Sequence, residues 1–344
     1  MRSCTRAGFD VTFRCNWRCE HCFYRHGPHC GATHDVAMGE ILAKMHTACE
    51  GGLDHAVMVG YGEPALCGVL WEVLDHCHAH GMATSMITNG SVGLAKYKRM
   101  RAAGMDHLHV SAHGLGPTLD KIAGVENAGR RQLETLDWLA SEGWTYRTNT
   151  SLQQANYREL PAIVEALVER GAWHVVLLGF LVHYEWQQDF DRIRAVAVHP
   201  AELRPYIEAA ADVALAAGRY LTIRYQPLCH LSPQYWPFVT NARHVFMDPW
   251  EWNYELQATD PEALWNASVN CGRTVAVEGE PCRSCAAYRH CGGWNRFCVA
   301  AYDGAGLAAI DEVPAAYTDV WQAEGGLHDL NPVNALTGTI ADGG

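Results

Sequence analysis

From Asp10 to about Gln226, short runs rich in β-branched, aromatic and aliphatic residues alternate with windows in which apolar residues recur every three to four positions. The strand-like runs are DVTFRC, HAVMVGYGE, MATSMITNG, DHLHVSAHG, TYRTNTSL, WHVVLLGFLV and YLTIRYQPL. Between them lie the helical windows MGEILAKMHTACEG, GVLWEVLDHCHAHG, LAKYKRMRAAG, RRQLETLDWLASEG, NYRELPAIVEALVERG and PAELRPYIEAAADVALAAG, most of them closed by glycine, the usual helix stop. Six or seven strand–helix units of roughly thirty residues predict an α/β fold with a parallel sheet, either open or closed into a partial or complete barrel.

In such sheets ligands gather at the C-terminal ends of the strands. That rule selects Cys15 after the first run, GYGEP (60–64) after the second, TNG (88–90) after the third and SAHG (111–114) after the fourth, then Asn149 and Ser151 on the fifth and Gly179 on the sixth. Each alone has an ordinary explanation as a turn residue. Together, polar and glycine residues at equivalent ends of successive strands predict one shared site.

Composition narrows the partners. About half of the 344 residues are hydrophobic, enough for a substantial core. The formal net charge is −12, with four lysines, Lys44, Lys96, Lys98 and Lys121, and no basic run, so a nucleic-acid partner is not expected. No apolar window approaches the roughly 18 residues of a membrane span, and the first residues lack a signal-peptide pattern; a soluble, cytoplasmic protein is expected.

Fourteen cysteines therefore read as reduced thiols or metal ligands rather than a disulfide framework. Cys15, Cys19 and Cys22 occupy CNWRCEHC, and Cys271, Cys282, Cys285, Cys291 and Cys298 crowd CGRTVAVEGEPCRSCAAYRHCGGWNRFC. Cys4, Cys30, Cys49, Cys67, Cys77 and Cys229 are scattered, with burial as small hydrophobes the default. Structural zinc wants four closed ligands, so the first trio is incomplete for it; an iron–sulfur cube on three cysteines leaves one iron open to another ligand.

CNWRCEHC after the first strand, followed by YGEP after the second, resembles the signature of the radical S-adenosylmethionine (SAM) enzymes. The resemblance spans residue 9 to about 226 and implies a partial (β/α)6 TIM-like barrel. It implies that Cys15, Cys19 and Cys22 hold a [4Fe-4S] cluster whose open iron binds SAM, and that Gly62, Glu63 and Pro64 hold the methionine group. His21 would shield cluster and adenine, with Tyr24 and Asn89 also cofactor contacts; Ser111, Asn149 and Ser151 would reach ribose or carboxylate, and Gly179 would admit adenine. Tyr61 departs from the family pattern, which has glycine there. A reducing partner such as flavodoxin or ferredoxin is implied.

CRSCAAYRHC, at Cys282, Cys285 and Cys291, fits a zinc knuckle by spacing alone; behind a radical SAM domain it resembles a SPASM/Twitch extension carrying one auxiliary [4Fe-4S] cluster. Asn295 stands where the two-cluster version has cysteine, so one cluster is expected, with Cys298 the preferred fourth ligand and Cys271 the substitute. The implied organisation is a radical core at 1–226, a bridge at 227–265 and a small Cys-rich auxiliary domain with its tail at 266–344. The aromatic bridge contains Cys229, a candidate hydrogen donor to a substrate radical, with local packing the competing role. The acidic balance, together with the early start of the resemblance, tilts the expected substrate towards an aminocyclitol or aminosugar, to be oxidised or epimerised. The alternative is maturation of a ribosomally made peptide, which SAHG and NYRELP favour.

Overall fold

The computed structural model describes residues 6–22, 25, 30–50, 54–182, 186, 188–240, 280–288, 291 and 293–315. Among them, one sheet runs in chain order: β1 (Arg6–Asp10), β2 (His55–Val59), β3 (Ala83–Thr88), β4 (His107–Ser111), β5 (Tyr146–Ser151), β6 (Ala172–Leu178), β7 (Tyr220–Arg224) and β8 (Val239–Thr240), every neighbouring pair parallel. The first and last strands have one neighbour each, so the barrel is partial, as expected. It has seven full strands and a two-residue eighth where a six-strand barrel was expected.

The first strand also lies upstream of the predicted DVTFRC. Arg6–Asp10 pairs with His55–Val59, and the chain then leaves the ladder over the sheet's C-terminal edge, where Thr12 forms an isolated antiparallel bridge with Asp35. The alternation of Phe9, Val11 and Phe13 continues past the strand because Val11 is still buried in the core, which moved the apparent strand downstream.

Among the described residues eight α-helices flank these strands: α1 (Met38–Glu50), α2 (Leu70–Ala79), α3 (Leu94–Ala102), α4 (Gly116–Ala123), α5 (Ala128–Ser141), α6 (Leu160–Glu169), α7 (Phe190–Val196) and α8 (Pro200–Ala216). Periodicity sets the buried face. In α2 it is Leu70, Val73, Leu74 and Cys77; in α6 it is Leu160, Ile163, Val164 and Leu167. Each large apolar side chain removed from water contributes about 1.5–3 kcal/mol gross. α5 and α8 are closed by Gly143 and Gly218, both at positive φ (61° and 65°), where a β-carbon would be strained.

The described C-terminal residues carry α9 (Glu280–Arg283) and α10 (Arg296–Ala301). They pack on the β7–β8 end: Cys285, Cys291, Ile310 and Val313 join the core of Leu221, Ile223, Tyr235 and Trp236. α10 lies against α7, with Arg194 Nη1 donating to Ala301 O at 2.7 Å and Tyr302 OH to Ala197 O at 2.8 Å. Among the described residues no helix is long and apolar enough to cross a membrane.

Candidate active site

The loop carrying the first cysteine trio is fastened to the ends of β2 and β3. Val11 N–H donates to Val59 O (3.0 Å), Gly62 N–H to Thr12 O (3.1 Å) and Glu63 N–H to Arg14 O (2.7 Å). A β-carbon at Gly62 would fall 2.0 Å from Arg14 O, and one at Gly60 2.7 Å from Thr12 O, so the two motifs approach backbone to backbone only because glycine stands there. Arg14 donates to both carboxylate oxygens of Asp35 (3.0 and 2.7 Å) and also to Leu66 O. Tyr61 stacks on Phe13 with ring centroids 5.1 Å apart, which gives this departure from the family pattern a packing role.

Beneath the trio lies α4. Trp17 and Cys19 pack with Leu119, Ala123 and Ala128, and Arg18 N–H donates to Ala123 O at 2.7 Å. The Trp17 indole donates to Ser91 Oγ at 2.7 Å, and Asn89 Nδ2 donates to Asn16 Oδ1 at 2.7 Å. Asn89 Oδ1 in turn accepts from Ser91 N and Ser91 Oγ. The side chain of Asn89 is thus committed to bracing the cysteine loop.

Glu63 is similarly committed. Its buried carboxylate accepts from Thr88 Oγ1 (2.6 Å), Asn89 N–H (2.6 Å) and Ala65 N–H (3.1 Å). Burial pushes its pKa up to about 7, against the pull of those three donors. Pro64 is buried and opens the short 3-10 turn Pro64–Leu66 that follows.

Cys15 is exposed, Cys19 buried and Cys22 half-buried. Burial pushes the Cys19 thiol above its ordinary value, and Cys22 and Cys15, near enough to repel its thiolate, add to that push. Three thiols that sense one another in a partly desolvated loop need cationic compensation to ionise, which suits iron and its soft-ligand preference. Trp17 N–H already points at Cys15 Sγ (3.4 Å). Among the described residues no three His, Cys, Asp or Glu side chains converge tightly enough to hold a single metal ion. A four-iron cube spreads its ligands more widely than one ion does, and the donor set fits it.

The remaining strand ends divide. Asn149, beside Ser111 in the ladder, has a buried Oδ1 with no hydrogen-bond partner among the described residues, an open acceptor towards the C-terminal end of β5. Ser151 is engaged through its backbone, N–H donating to His113 Nδ1 (3.1 Å) and O accepting from Asn156. Gly179 is required by its neighbour: a β-carbon there would sit 2.4 Å from Tyr225 O. Tyr24 and Cys271 lie outside the described residues.

His113 was missed, although it stands in SAHG between Ser111 and the glycine. Its ring meets that of His21 edge-on at 4.7 Å, joining β4's end to the cysteine loop. Burial holds its pKa down at about 4, and an Nδ1 that accepts a backbone N–H is unprotonated. His21 also lies 3.4 Å from Gln153 Nε2.

The second cysteine group does not assemble as expected. Cys282, Cys285 and Cys291 line one pocket, partly open to solvent, and the fourth cysteine on its wall is Cys229. Cys298 is fully buried on α10 among Trp186, Ile193 and Trp294, so the preferred fourth ligand faces the α7 contact instead. Asn295, where a two-cluster motif would have cysteine, caps α10, accepting from Phe297 N–H and Cys298 N–H. Burial pushes the Cys291 thiol up to about 12, with Cys229 and Cys285 among the charges that add to it.

Residues 9–167 match the Radical SAM superfamily. Over 250 residues the chain is 28% identical to the PqqA peptide cyclase of Methylocella silvestris, covering 68% of this chain and 60% of that protein, so it spans less than two thirds of that relative's length. Its fold is similar to that of Streptococcus suis SuiB bound to precursor peptide SuiA (TM-score 0.56, 14% identity, 91% of this chain and 76% of SuiB). It is also similar to anSMEcpe with bound AdoMet and Kp18Cys peptide (TM-score 0.57, 14% identity, 97% and 99%).

Proposed function

We propose, from the match of residues 9–167 to the Radical SAM superfamily, that the protein is a radical SAM maturase of a ribosomally made peptide. The observation that carries the substrate class is the 28% identity, over most of the chain, to a PqqA peptide cyclase. This reverses the order expected from composition. An acidic surface serves solubility as well as it serves a cationic sugar, and so it discriminates poorly.

Cys15, Cys19 and Cys22 would hold the [4Fe-4S] cluster. Loaded with that cluster and SAM, the three-cysteine site would supply the one-electron reduction that cleaves SAM and so enables hydrogen abstraction from the substrate. The protein's own work is positioning: Gly60 and Gly62 let the methionine-binding loop close on the cysteine loop, and Glu63, Asn89 and Ser91 lock β3's end to both. His113, neutral and water-excluded, abuts His21 without adding charge. Asn149 Oδ1 offers an acceptor to a ribose hydroxyl. An auxiliary [4Fe-4S] cluster in the C-terminal cysteine pocket and a flavodoxin- or ferredoxin-type reductant complete the reading, with the radical core at 1–226, the bridge at 227–265 and the auxiliary domain at 266–344.

The test uses perdeuterated candidate peptides and deuterated aminocyclitols or aminosugars with the anaerobically loaded protein. Deuterium entering 5′-deoxyadenosine from a peptide is the expected result. Transfer from the aminocyclitol or aminosugar alone would restore the small-molecule reading.

A further inference from the structure

We infer that Cys229 is the fourth protein ligand of the auxiliary cluster, completing the set with Cys282, Cys285 and Cys291, an assignment that rests on the proposed second iron–sulfur centre. These four cysteines share the walls of one pocket, partly open to solvent and lined also by the apolar residues Pro227, Leu307 and Ile310. Apolar walls and thiol donors are the surroundings an iron–sulfur cube takes.

The sulfurs already carry backbone donors. Leu228 N–H and Gly293 N–H point at Cys291 Sγ (3.4 and 3.2 Å), and Ile310 N–H points at Cys285 Sγ (3.3 Å). Such N–H···S bonds orient thiolate ligands and tune the centre they hold. The donor on Leu228 is the residue next to Cys229, so the bridge and the auxiliary motif are joined at the pocket itself.

Cys229 is also held where a ligand must be. It sits in the 3-10 turn Leu228–His230 just after β7, and Trp236 Nε1 donates to Leu228 O at 3.0 Å. A ring nitrogen of His230 lies 3.0 Å from Ala305 O, fixing the other flank of the turn. Cys298 has none of these relations: its sulfur belongs to the apolar contact between α10 and α7. The auxiliary cluster is therefore tethered to the end of the barrel sheet itself and is not held by the C-terminal module alone.

The experiment isolates this centre. In full-length protein with Cys15, Cys19 and Cys22 all changed to Ala, anaerobic reconstitution should leave about four irons per chain, with matching acid-labile sulfide and the visible absorption of a cluster. Adding Cys229→Ala or Cys229→Ser should change that centre to one with an altered ligand on one iron, read as a shifted electron paramagnetic resonance signal of the reduced cluster or as iron falling to about three per chain, with far-UV circular dichroism unchanged, whereas adding Cys298→Ala or Cys271→Ala should leave signal and iron as they were. An unchanged signal with full iron in both Cys229 variants, or a change of either in the Cys298 or Cys271 variant, would overturn the assignment, as would zinc instead of iron at the site. Dichroism showing misfolding in Cys229→Ala transfers the decision to the smaller Cys229→Ser change. Failure of the radical reading is seen separately, as absent 5′-deoxyadenosine formation by protein with every cysteine intact.

Discussion

Replacing Gly62 by alanine adds one carbon where there is no room for it. That carbon would lie 2.0 Å from Arg14 O, 2.5 Å from Arg14 C and 2.7 Å from Arg14 N, all backbone atoms that no rotamer change can move aside. To reach van der Waals contact the loop must retreat by about 1–2 Å. The retreat breaks Gly62 N–H to Thr12 O and Glu63 N–H to Arg14 O. Two hydrogen bonds at about 0.5–1.5 kcal/mol each, with overpacking of about 1–3 kcal/mol, give roughly 2–6 kcal/mol for relaxation to divide between lost stability and lost alignment. If, as proposed, these two loops hold SAM, a displacement of about 1 Å between loop 60–64 and the cysteine loop should cost about 100-fold in SAM cleavage. The assay is 5′-deoxyadenosine formation under reducing, anaerobic conditions, with iron content and melting temperature measured on the same samples. Gly39→Ala is the control: it lies in α1 with nothing within 4 Å of its added carbon, and it should stabilise the helix by about 0.5–1 kcal/mol with activity retained. Cleavage by Gly62→Ala at the wild-type rate would refute the claim that the two motifs are held by backbone contact.

Three further outcomes follow from the same geometry. Asn89→Ala strands Asn16 Oδ1 and the buried Ser91 N–H, a cost of about 1–3 kcal/mol; iron at Cys15, Cys19 and Cys22 should become labile while the auxiliary pocket is unaffected, and equal retention at both sites counts against the bracing role. Trp17→Phe removes the indole bond to Ser91 Oγ and should lower stability by about 1–2 kcal/mol in a denaturant titration, an unchanged midpoint being the contrary result. His113 has a folded pKa of about 4 against an ordinary 6.5, so the unfolded chain takes up its proton first as pH falls. The stability this histidine contributes is complete above 6.5 and is lost towards 4, at up to about 1.4 kcal/mol per pH unit. Unfolding measured from neutral pH down to about pH 5.5 should therefore show a steeper acid loss in the wild type than in His113→Asn, and parallel curves would remove burial as the cause.

What could be read from residue pattern was whatever depends on neighbours in the chain. The faces of α2 and α6 follow from apolar residues three and four apart, and the glycines at 143 and 218 mark helix ends by their own backbone preference. α4 escaped notice because it has only two turns, although GPTLDKIAG carries a proline in its first turn and the left-handed Gly124 at its end. Its importance was not local at all: it is the platform for Trp17 and Cys19, about a hundred residues earlier in the chain. The fourth auxiliary ligand inferred above shows the same limit. Chain proximity favours Cys298, yet NRFCVAA already reads as an N-cap followed by an apolar helical face, and a cysteine on such a face is committed to packing. Cys229 has no motif of its own. Only the parallel sheet, by delivering the end of β7 beside the C-terminal cysteines, turns a residue that looks like a lone buried thiol into the missing wall of their pocket.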